Sequence, residues 1–516
     1  MREDKMIDKI YGELTTRLAS SDFNFAKYKR DWGRKNSVEF NTLWSEIIDD
    51  IERLAKTCTL KFYEGRYYIF DNKIYVPIEE KVVMKAFEVT MRHQRVMVIA
   101  SSTTVAKKNF CDVIRYYNPL TPRKDMVAFS NGVLDLRNFN AEGRYRVEFY
   151  EDFSPRFHVT YHHPYPYNPD AKCPMWKSFL HEVLPDKDSR VVLQMFLGLG
   201  LIQRSTVYDE CEGADSAKVE LCLILLGSGA NGKSVIYQTA MGIYGPKRIS
   251  GVDYDDLTAT GDEGMRSRTL LREALFNWSS DSDPRTFGRK RTGVFKRIVS
   301  GEPVADRKIG ENVKENFHMP YLVFNLNELP RSDDQTLGFI RRLQFVSFDV
   351  TIPPHRQNKA LASDLKAEYS GIFNWILRGA KELRRKKFVF PESAKQRQQV
   401  VLAQLQVDPV SAWLNAYRLR SERNIAGERC MWVHNQKLLE HMWQFCDDND
   451  AERPSKQKFG HTMTRKRFDR KRLSDGVYYR IYGGDEEDMG ERIIVSDSGM
   501  ESKESHEKLF YIERDD

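Results

Sequence analysis

The chain has 516 residues, 41% hydrophobic and 30% charged, an ordinary globular composition with enough apolar matter for several cores. At one domain per roughly 150 residues it predicts three or four domains, and it excludes a wholly disordered or collagen-like chain. Lys and Arg outnumber Asp and Glu 81 to 74, but residues 485–516 hold twelve acids against four Lys or Arg, so the remainder is more basic than the net +7 implies.

The apolar runs LCLILL (221–226) and FLGLGLI (196–202) fall far short of the roughly 20 residues a membrane helix needs. The N-terminus has no signal-peptide core. A soluble, intracellular protein with no membrane partner is expected. The seven cysteines form no CxxC pair, so they read as reduced thiols and no structural metal is expected.

In chain order, residues 1–57 carry helical spacing, and LKFYEGRYYIFDNKIYVPI alternates between turns at Glu64-Gly65 and Asp71-Asn72, predicting an antiparallel meander. Residues 79–120 return to helix, so 1–120 is expected to be a mixed helical and β-meander region. DMVAFSNGVLDLRNF (125–139) predicts a hairpin turning at Asn131-Gly132, and 175–202 predicts two amphipathic helices within a domain over 121–205.

Near residue 218 the texture changes. VELCLILLG is a buried-strand pattern, followed by GSGANGKS and the amphipathic VIYQTAMGIYG. Strand, glycine-rich turn and helix open a nucleotide-binding α/β unit, and further strands are predicted at EALFNWSS (273–280), YLVFNLN (321–327) and LQFVSFDV (343–350). The α/β core is placed at 206–352 and a helical segment at 353–425. Over 426–484, two helices and a hairpin turning at Ser474-Asp475-Gly476 outline a winged helix, and 485–516 is an acidic tail.

Gly227, Ser228, Gly229, Ala230, Asn231, Gly232, Lys233 and Ser234 satisfy GxxxxGK[ST]. Such glycines let backbone amides turn toward phosphate oxygens. The lysine reaches the β and γ phosphates, and the hydroxyl of Ser234 reaches Mg²⁺, so ATP and Mg²⁺ are the expected cofactors. A hydrolase also needs a carboxylate at the end of a second strand. Asp281 is the first choice for it, as metal ligand and catalytic acid, with Asp283 the alternative. Asn327 could orient water, with Asn325 competing for the role. Arg341 and Arg342 stand at the mouth of another strand, where positive charge could be delivered to a phosphate on a neighbouring subunit.

The order of these parts, with Asn-Glu-Leu-Pro at 327–330 and Arg-Arg-Leu at 341–343, resembles the superfamily 3 helicases. It is most similar to the helicase half of phage, plasmid and poxvirus-type primase–helicases, and SNGVLDL, CPMWKSFLHEV and FKRIVSGEPVADRK strengthen the likeness over about 125–484. The resemblance implies an AAA+-type ATPase core in a homo-hexameric ring on single-stranded or forked DNA, with 121–205 as a collar-like domain. It implies Lys233 and Ser234 at ATP–Mg²⁺, Asp281 as the Walker B acid, Asn327 as sensor 1 and Arg342 as a finger acting in trans. It also places a DNA-gripping hairpin between acid and sensor, carrying Arg307, Lys308 and Lys314. The chain departs from its relatives in the serine-rich stretch 279–283 and in Asn277, a polar residue on a buried strand. Primer synthesis is expected from a separate primase.

In the C-terminal module Arg465, Lys466, Arg467, Arg470, Lys471 and Arg472 crowd into eight residues, a cationic face suited to DNA phosphates. His434, His441 and His461 show no metal-ligand spacing. The expected function is an ATP-dependent replicative DNA helicase of a phage, plasmid or other mobile element. The alternatives are an ATP-dependent initiator or loader without unwinding activity, and a phosphotransferase.

Overall fold

Ile10, Leu14 and Leu18 recur every four residues and give helix α1 (Glu3–Leu18) one buried stripe. The computed structural model describes residues 3–19, 37–93, 100–123, 125–137, 146–202, 219–280, 282–283, 287, 291–316, 318–329, 337–405, 408–422, 430–449 and 451–483. They fall into two units, one over Met1–Pro169 with Gly213–Asp215, the other over Asp170–Glu212 and Ser216–Asp516.

In the first unit, α1 and α2 (Ser37–Thr57) precede an antiparallel meander of β1 (Lys61–Tyr63), β2 (Arg66–Phe70) and β3 (Tyr75–Ile78), followed by α3 (Glu80–His93) and α4 (Ala100–Tyr117). The meander turns where the sequence places its breaks: Glu64, Gly65 and Asn72 all have positive φ, and the Asp71 carboxylate accepts the amides of Lys73 and Ile74 at 3.0 and 2.9 Å. Tyr67, Ile69 and Ile78 pack with Ile10, Ile51, Phe87 and Phe110 into one core. A second meander, β4 (Met126–Phe129), β5 (Gly132–Asp135) and β6 (Glu148–Tyr150), turns first at Asn131-Gly132.

The second unit begins with α5 (Pro174–Val183) and α6 (Lys187–Gly198). Next come β7 (Cys222–Leu226), α7 (Lys233–Tyr244), β8 (Ile249–Ser250), α8 (Tyr254–Thr258), α9 (Gly261–Arg268) and β9 (Phe276–Ser279). Helix α10 (Thr292–Val299), the hairpin β10 (Val304–Asp306) and β11 (Lys314–Asn316), β12 (Tyr321–Leu326), α11 (Leu337–Ile340) and β13 (Leu343–Ser347) follow. Strands β13-β7-β12-β9-β8 form one sheet in that order, every neighbouring pair parallel. All residues of β7, β9, β12 and β13 are buried, as expected when a parallel sheet is covered on both faces.

Asn277 has a structural task in this sheet. Its amide oxygen accepts Ser250 Oγ and the Val252 amide, both at 2.9 Å, and its Nδ2 donates to Val252 O at 2.8 Å. The side chain thus fastens the two-residue edge strand β8, and every polar atom it buries is paired.

After the sheet come α12 (Leu361–Asp364), α13 (Tyr369–Arg385), α14 (Ala394–Leu405) and α15 (Pro409–Ala416). The chain then forms β14 (Cys430–His434), α16 (Asn435–Asp448), α17 (Lys456–Arg465), β15 (Arg470–Leu473) and β16 (Gly476–Tyr482). The last three strands pair antiparallel in the order β14-β16-β15 around a core holding Trp413, Met442, Phe459 and Ile481. Among the described residues no helix is long and apolar enough to cross a membrane, and six cysteines are buried and unbonded. Cys211 and the acidic tail lie outside the described residues.

Candidate functional site

The glycine-rich loop joins the C-terminal end of β7 to the N-terminus of α7. Its path requires left-handed backbone at Gly229 (φ +111°), Ala230 (+48°) and Gly232 (+89°). Gly232 also lies so close to α5 that a Cβ would come within 2.8 Å of Phe179, so this position excludes side chains on two grounds. On the other side the loop is tied to the chain leaving β13. Asn231 Nδ2 donates to Phe348 O at 3.2 Å, and the Ile352 amide donates to Ala230 O at 2.9 Å.

Lys233 is buried, and its ammonium donates to the carbonyl of Gly227, which holds the charge against the loop. Ser228, Gly229, Ala230 and Ser234 are exposed. An exposed turn of backbone amides at the head of a twelve-residue helix, with a lysine beneath it, is chemically suited to a phosphate chain.

Asp281 lies outside the described residues, as does Pro330. Asp283 is exposed. Next to this stretch, Ser282 Oγ donates to Ser279 Oγ at 2.7 Å, and Ser279 in turn donates to Asp253, an exposed acid just after β8. Asp253 was invisible as a site residue in the sequence, where it reads as the residue starting the helix YDDLT. The two asparagines of β12 are in different situations. Asn325 is buried, accepts Trp278 Nε1 at 3.1 Å and donates to Ser280 O at 3.2 Å, whereas Asn327 is exposed beyond the end of the strand.

The two arginines before β13 also differ. Arg342 keeps only 12% of its side chain exposed and donates to Ser300 Oγ at 3.1 Å, to Glu220 at 3.3 Å and to Gly338 O at 2.5 Å. Arg341, one residue earlier, is exposed. Neither Glu220 nor Ser300 carries a sequence signal for this pairing, because both come from distant segments.

Of the basic residues between Asp281 and Asn327, Arg307 is ion-paired with Asp262 of α9, and Lys314 Nζ lies 3.3 Å from Glu311. Lys308 is half-buried. The seven residues from Arg307 to Val313 close the β10–β11 hairpin, and its most exposed large apolar side chain is Ile309.

In the C-terminal module Arg470, Lys471 and Arg472 lie on β15, the edge strand of its sheet. Arg470 and Arg472 are exposed, while the Lys471 ammonium sits 5.8 Å from the centre of the Trp432 ring. Arg467 is exposed in a left-handed turn after α17. Arg465 donates to Asp408 at 2.9 Å, and burial lowers the pKa of Lys466. His441 accepts Trp413 Nε1 at 2.8 Å and His434 accepts the Gln436 amide at 3.3 Å, so both are committed to packing. No cluster of three His, Cys, Asp or Glu able to hold a metal occurs among the described residues.

Residues 23–185 match the family model described as D5 N terminal like, a match that ends before the glycine-rich loop begins. No curated protein matches the chain in sequence. Among solved structures, the A form apo structure of the NrS-1 C-terminal region shares 12% identity with a TM-score of 0.37, covering 70% of this chain and 96% of that one. The apo structure of NrS-1 residues 305–718 shares 11% identity with a TM-score of 0.39, covering 82% of this chain and 95% of that one. The A form of that same region shares 10% identity with a TM-score of 0.38, covering 83% and 96%.

Proposed function

We propose that the chain is an ATP-driven DNA helicase of the primase–helicase type, serving replication of a phage, plasmid or other mobile element. The observation that carries this reading is the loop Gly227–Ser234 in its place: it follows the first strand of a parallel sheet whose strands, numbered along the chain, run 5-1-4-3-2. A loop at the C-terminal end of such a strand is where an α/β sheet takes its ligand, which supports the reading of an AAA+-type ATPase core. The D5 N-terminal-like match over 23–185 supports the same reading, since it places a primase–helicase-type segment ahead of the loop.

ATP–Mg²⁺ fits the residues present, and when bound it would supply the phosphoanhydride whose hydrolysis drives movement. The amides of 228–232 would face its phosphates, Lys233 would move from the Gly227 carbonyl onto them, and Ser234 with Asp281 would hold the ion. Asn327, free at the end of β12, would orient water, while Asn325 holds the strand-end geometry. The resemblance gives Arg342 as the finger acting in trans; the exposure of Arg341 supports that residue instead as the one that would reach a neighbouring subunit of a homo-hexamer. Arg342 is engaged within its own chain by Glu220, Ser300 and Gly338. The C-terminal module is read as a winged helix, with Arg467, Arg470 and Arg472 facing DNA phosphates.

The test is strand displacement on forked DNA with ATP–Mg²⁺, with Lys233→Ala as the control. Unwinding by the wild type and none by the variant is expected. DNA-stimulated hydrolysis without unwinding would shift the reading to an initiator or loader, and neither activity would overturn it. A paired measurement separates the arginines. Arg341→Ala is expected to keep its melting temperature and lose hydrolysis, regaining part of it when mixed with Lys233→Ala subunits. Arg342→Ala is expected to lose about 2 kcal/mol of stability by leaving Glu220 without its guanidinium.

A further inference from the structure

The C-terminal module gathers cations along α17 and β15 and releases the chain beside them. From Lys456 to Leu473 eight Lys and Arg stand against a single acid, Asp469. The two-residue period of a strand places Arg470 and Arg472 on one side of β15 and Lys471 on the other, where its ammonium meets the Trp432 ring. Arg465 is taken by Asp408, and Asp469 lies 4.0 Å from Arg480. Asp475, in the turn joining β15 to β16, accepts Tyr478 Oη at 2.7 Å. Arg467, Arg470 and Arg472 are exposed and enter no ion pair among the described residues.

The chain leaves this module through Tyr482 and Gly483. Tyr482 exchanges both backbone bonds with Arg420, at 2.8 and 2.9 Å. Gly483 has φ +81°, and a Cβ there would come within 2.4 Å of Arg418 O, so the exit is fixed at a glycine. Arg470 pairs with Tyr479 and the Arg480 amide donates to Asp469 O, so the exit lies toward the end of β15 where Arg467 and Arg470 stand. The sequence then continues through Gly484 into Asp485-Glu486-Glu487-Asp488-Met489-Gly490-Glu491, five acids in seven residues without a base.

We propose that Asp485–Glu491 folds back onto the Arg467, Arg470 and Arg472 face of its own chain, a polyanion standing where DNA phosphates would be taken, and holds DNA affinity down until DNA displaces it. This rests on the reading above of that face as a phosphate-contacting one, and adds its regulation. The reach is sufficient. At roughly 3.3 Å per extended residue the acidic run extends about 7–27 Å from Gly483. Arg470 and Arg472 register with Tyr479 and Val477, four and six positions before Gly483, or about 13 and 20 Å along the strand. A single exposed ion pair contributes little, but a tether of one residue beyond Gly483 holds the acids at an effective concentration on the order of millimolar or more. That tether favours the chain's own segment over a separate acidic protein. Because the contacts are exposed, salt and competing phosphates release them.

The experiment uses the full chain and a variant carrying Asp485→Asn, Glu486→Gln, Glu487→Gln, Asp488→Asn and Glu491→Gln together. Each is made with and without Arg467→Gln, Arg470→Gln and Arg472→Gln, and binding of a fluorescein-labelled DNA duplex is read by anisotropy. Neutralising the acids is expected to tighten binding about tenfold at about 50 mM salt and hardly at all at about 500 mM. In the arginine-substituted background the same change should alter affinity less than about twofold. An equal effect in both backgrounds overturns the proposal, because the acids would then act through bulk charge and not by docking. A second readout needs no DNA: phenylglyoxal labelling of Arg467, Arg470 and Arg472, followed by peptide mass spectrometry, should rise several-fold when the acids are neutralised. Unchanged labelling overturns the docking. The two readings fail separately. Raised labelling with duplex affinity indifferent to the arginine substitutions keeps the docking and sinks the DNA reading of the face. Weaker duplex binding in the arginine variant, with labelling and affinity indifferent to the acids, sinks the docking alone.

Discussion

The glycine-rich loop and the β10–β11 hairpin are both short connections carrying lysines, and they dispose their residues in opposite ways. The loop buries its lysine against a carbonyl and turns exposed backbone outward, so its chemistry resides in the main chain. The hairpin buries an aspartate at its base, pairs two of its cations and exposes isoleucine and valine. A motif whose function lies in backbone geometry constrains its own sequence, because only certain residues adopt the path. A motif whose function lies in exposed side chains does not, since exposure depends on what the rest of the chain brings alongside.

Three substitutions would break or sharpen this contrast. The largest effect is expected at Gly232→Val, where positive φ and contact with Phe179 both oppose a branched side chain. Stability should fall by on the order of 4 kcal/mol, and nucleotide binding by fluorescence titration should be lost. Next, Asp306→Asn leaves Arg272 without its carboxylate at a buried position, at a cost of about 3 kcal/mol in urea unfolding. If Asp306→Asn proved neutral, the hairpin would not be anchored at its base. The smallest effect is expected at Gly310→Ala, where φ is positive but nothing stands within 4 Å. A loss of about 1 kcal/mol, with nucleotide binding intact, would confirm that only the loop glycine is fixed by packing as well as by backbone.

The same division explains what could be read from the sequence. The first meander, the hairpin at Asn131-Gly132, the buried strands of the parallel sheet and the loop itself were all legible, because period, turn residues and glycine spacing are local properties. Edge strand β8 was not, since two residues carry no period and its place depends on Asn277 reaching Val252. Strand β14 also went unread, as CMWVH gains its partner only from β16, some fifty positions later. Among site residues, the occupation of Arg307 by Asp262 and of Arg342 by Glu220 arises from segments 45 and 122 positions away, which no spacing rule spans. Asn325 and Asn327 were indistinguishable in sequence because both lie on one strand face. What separates them is that one ends inside the sheet, beside Trp278, and the other beyond it.

Helix α5 has its first amides capped from far along the chain. Met175 and Trp176 each donate at 3.0 Å to the carboxylate of Glu368, 193 and 192 positions later. Asn374 reaches Ala171 O at 3.1 Å, Gln194 Nε2 reaches Trp375 O at 2.7 Å, and Gly198 lies against the backbone of Ala380. During synthesis at roughly 5–20 residues per second, α5 and α6 therefore wait about 10–40 s for the segment that completes them. Through that interval the chain holds an uncapped helix and a glycine-lined surface while every strand of the parallel sheet emerges. Until α13 has left the ribosome, the capping of α5 and the backbone contacts of α6 therefore cannot form.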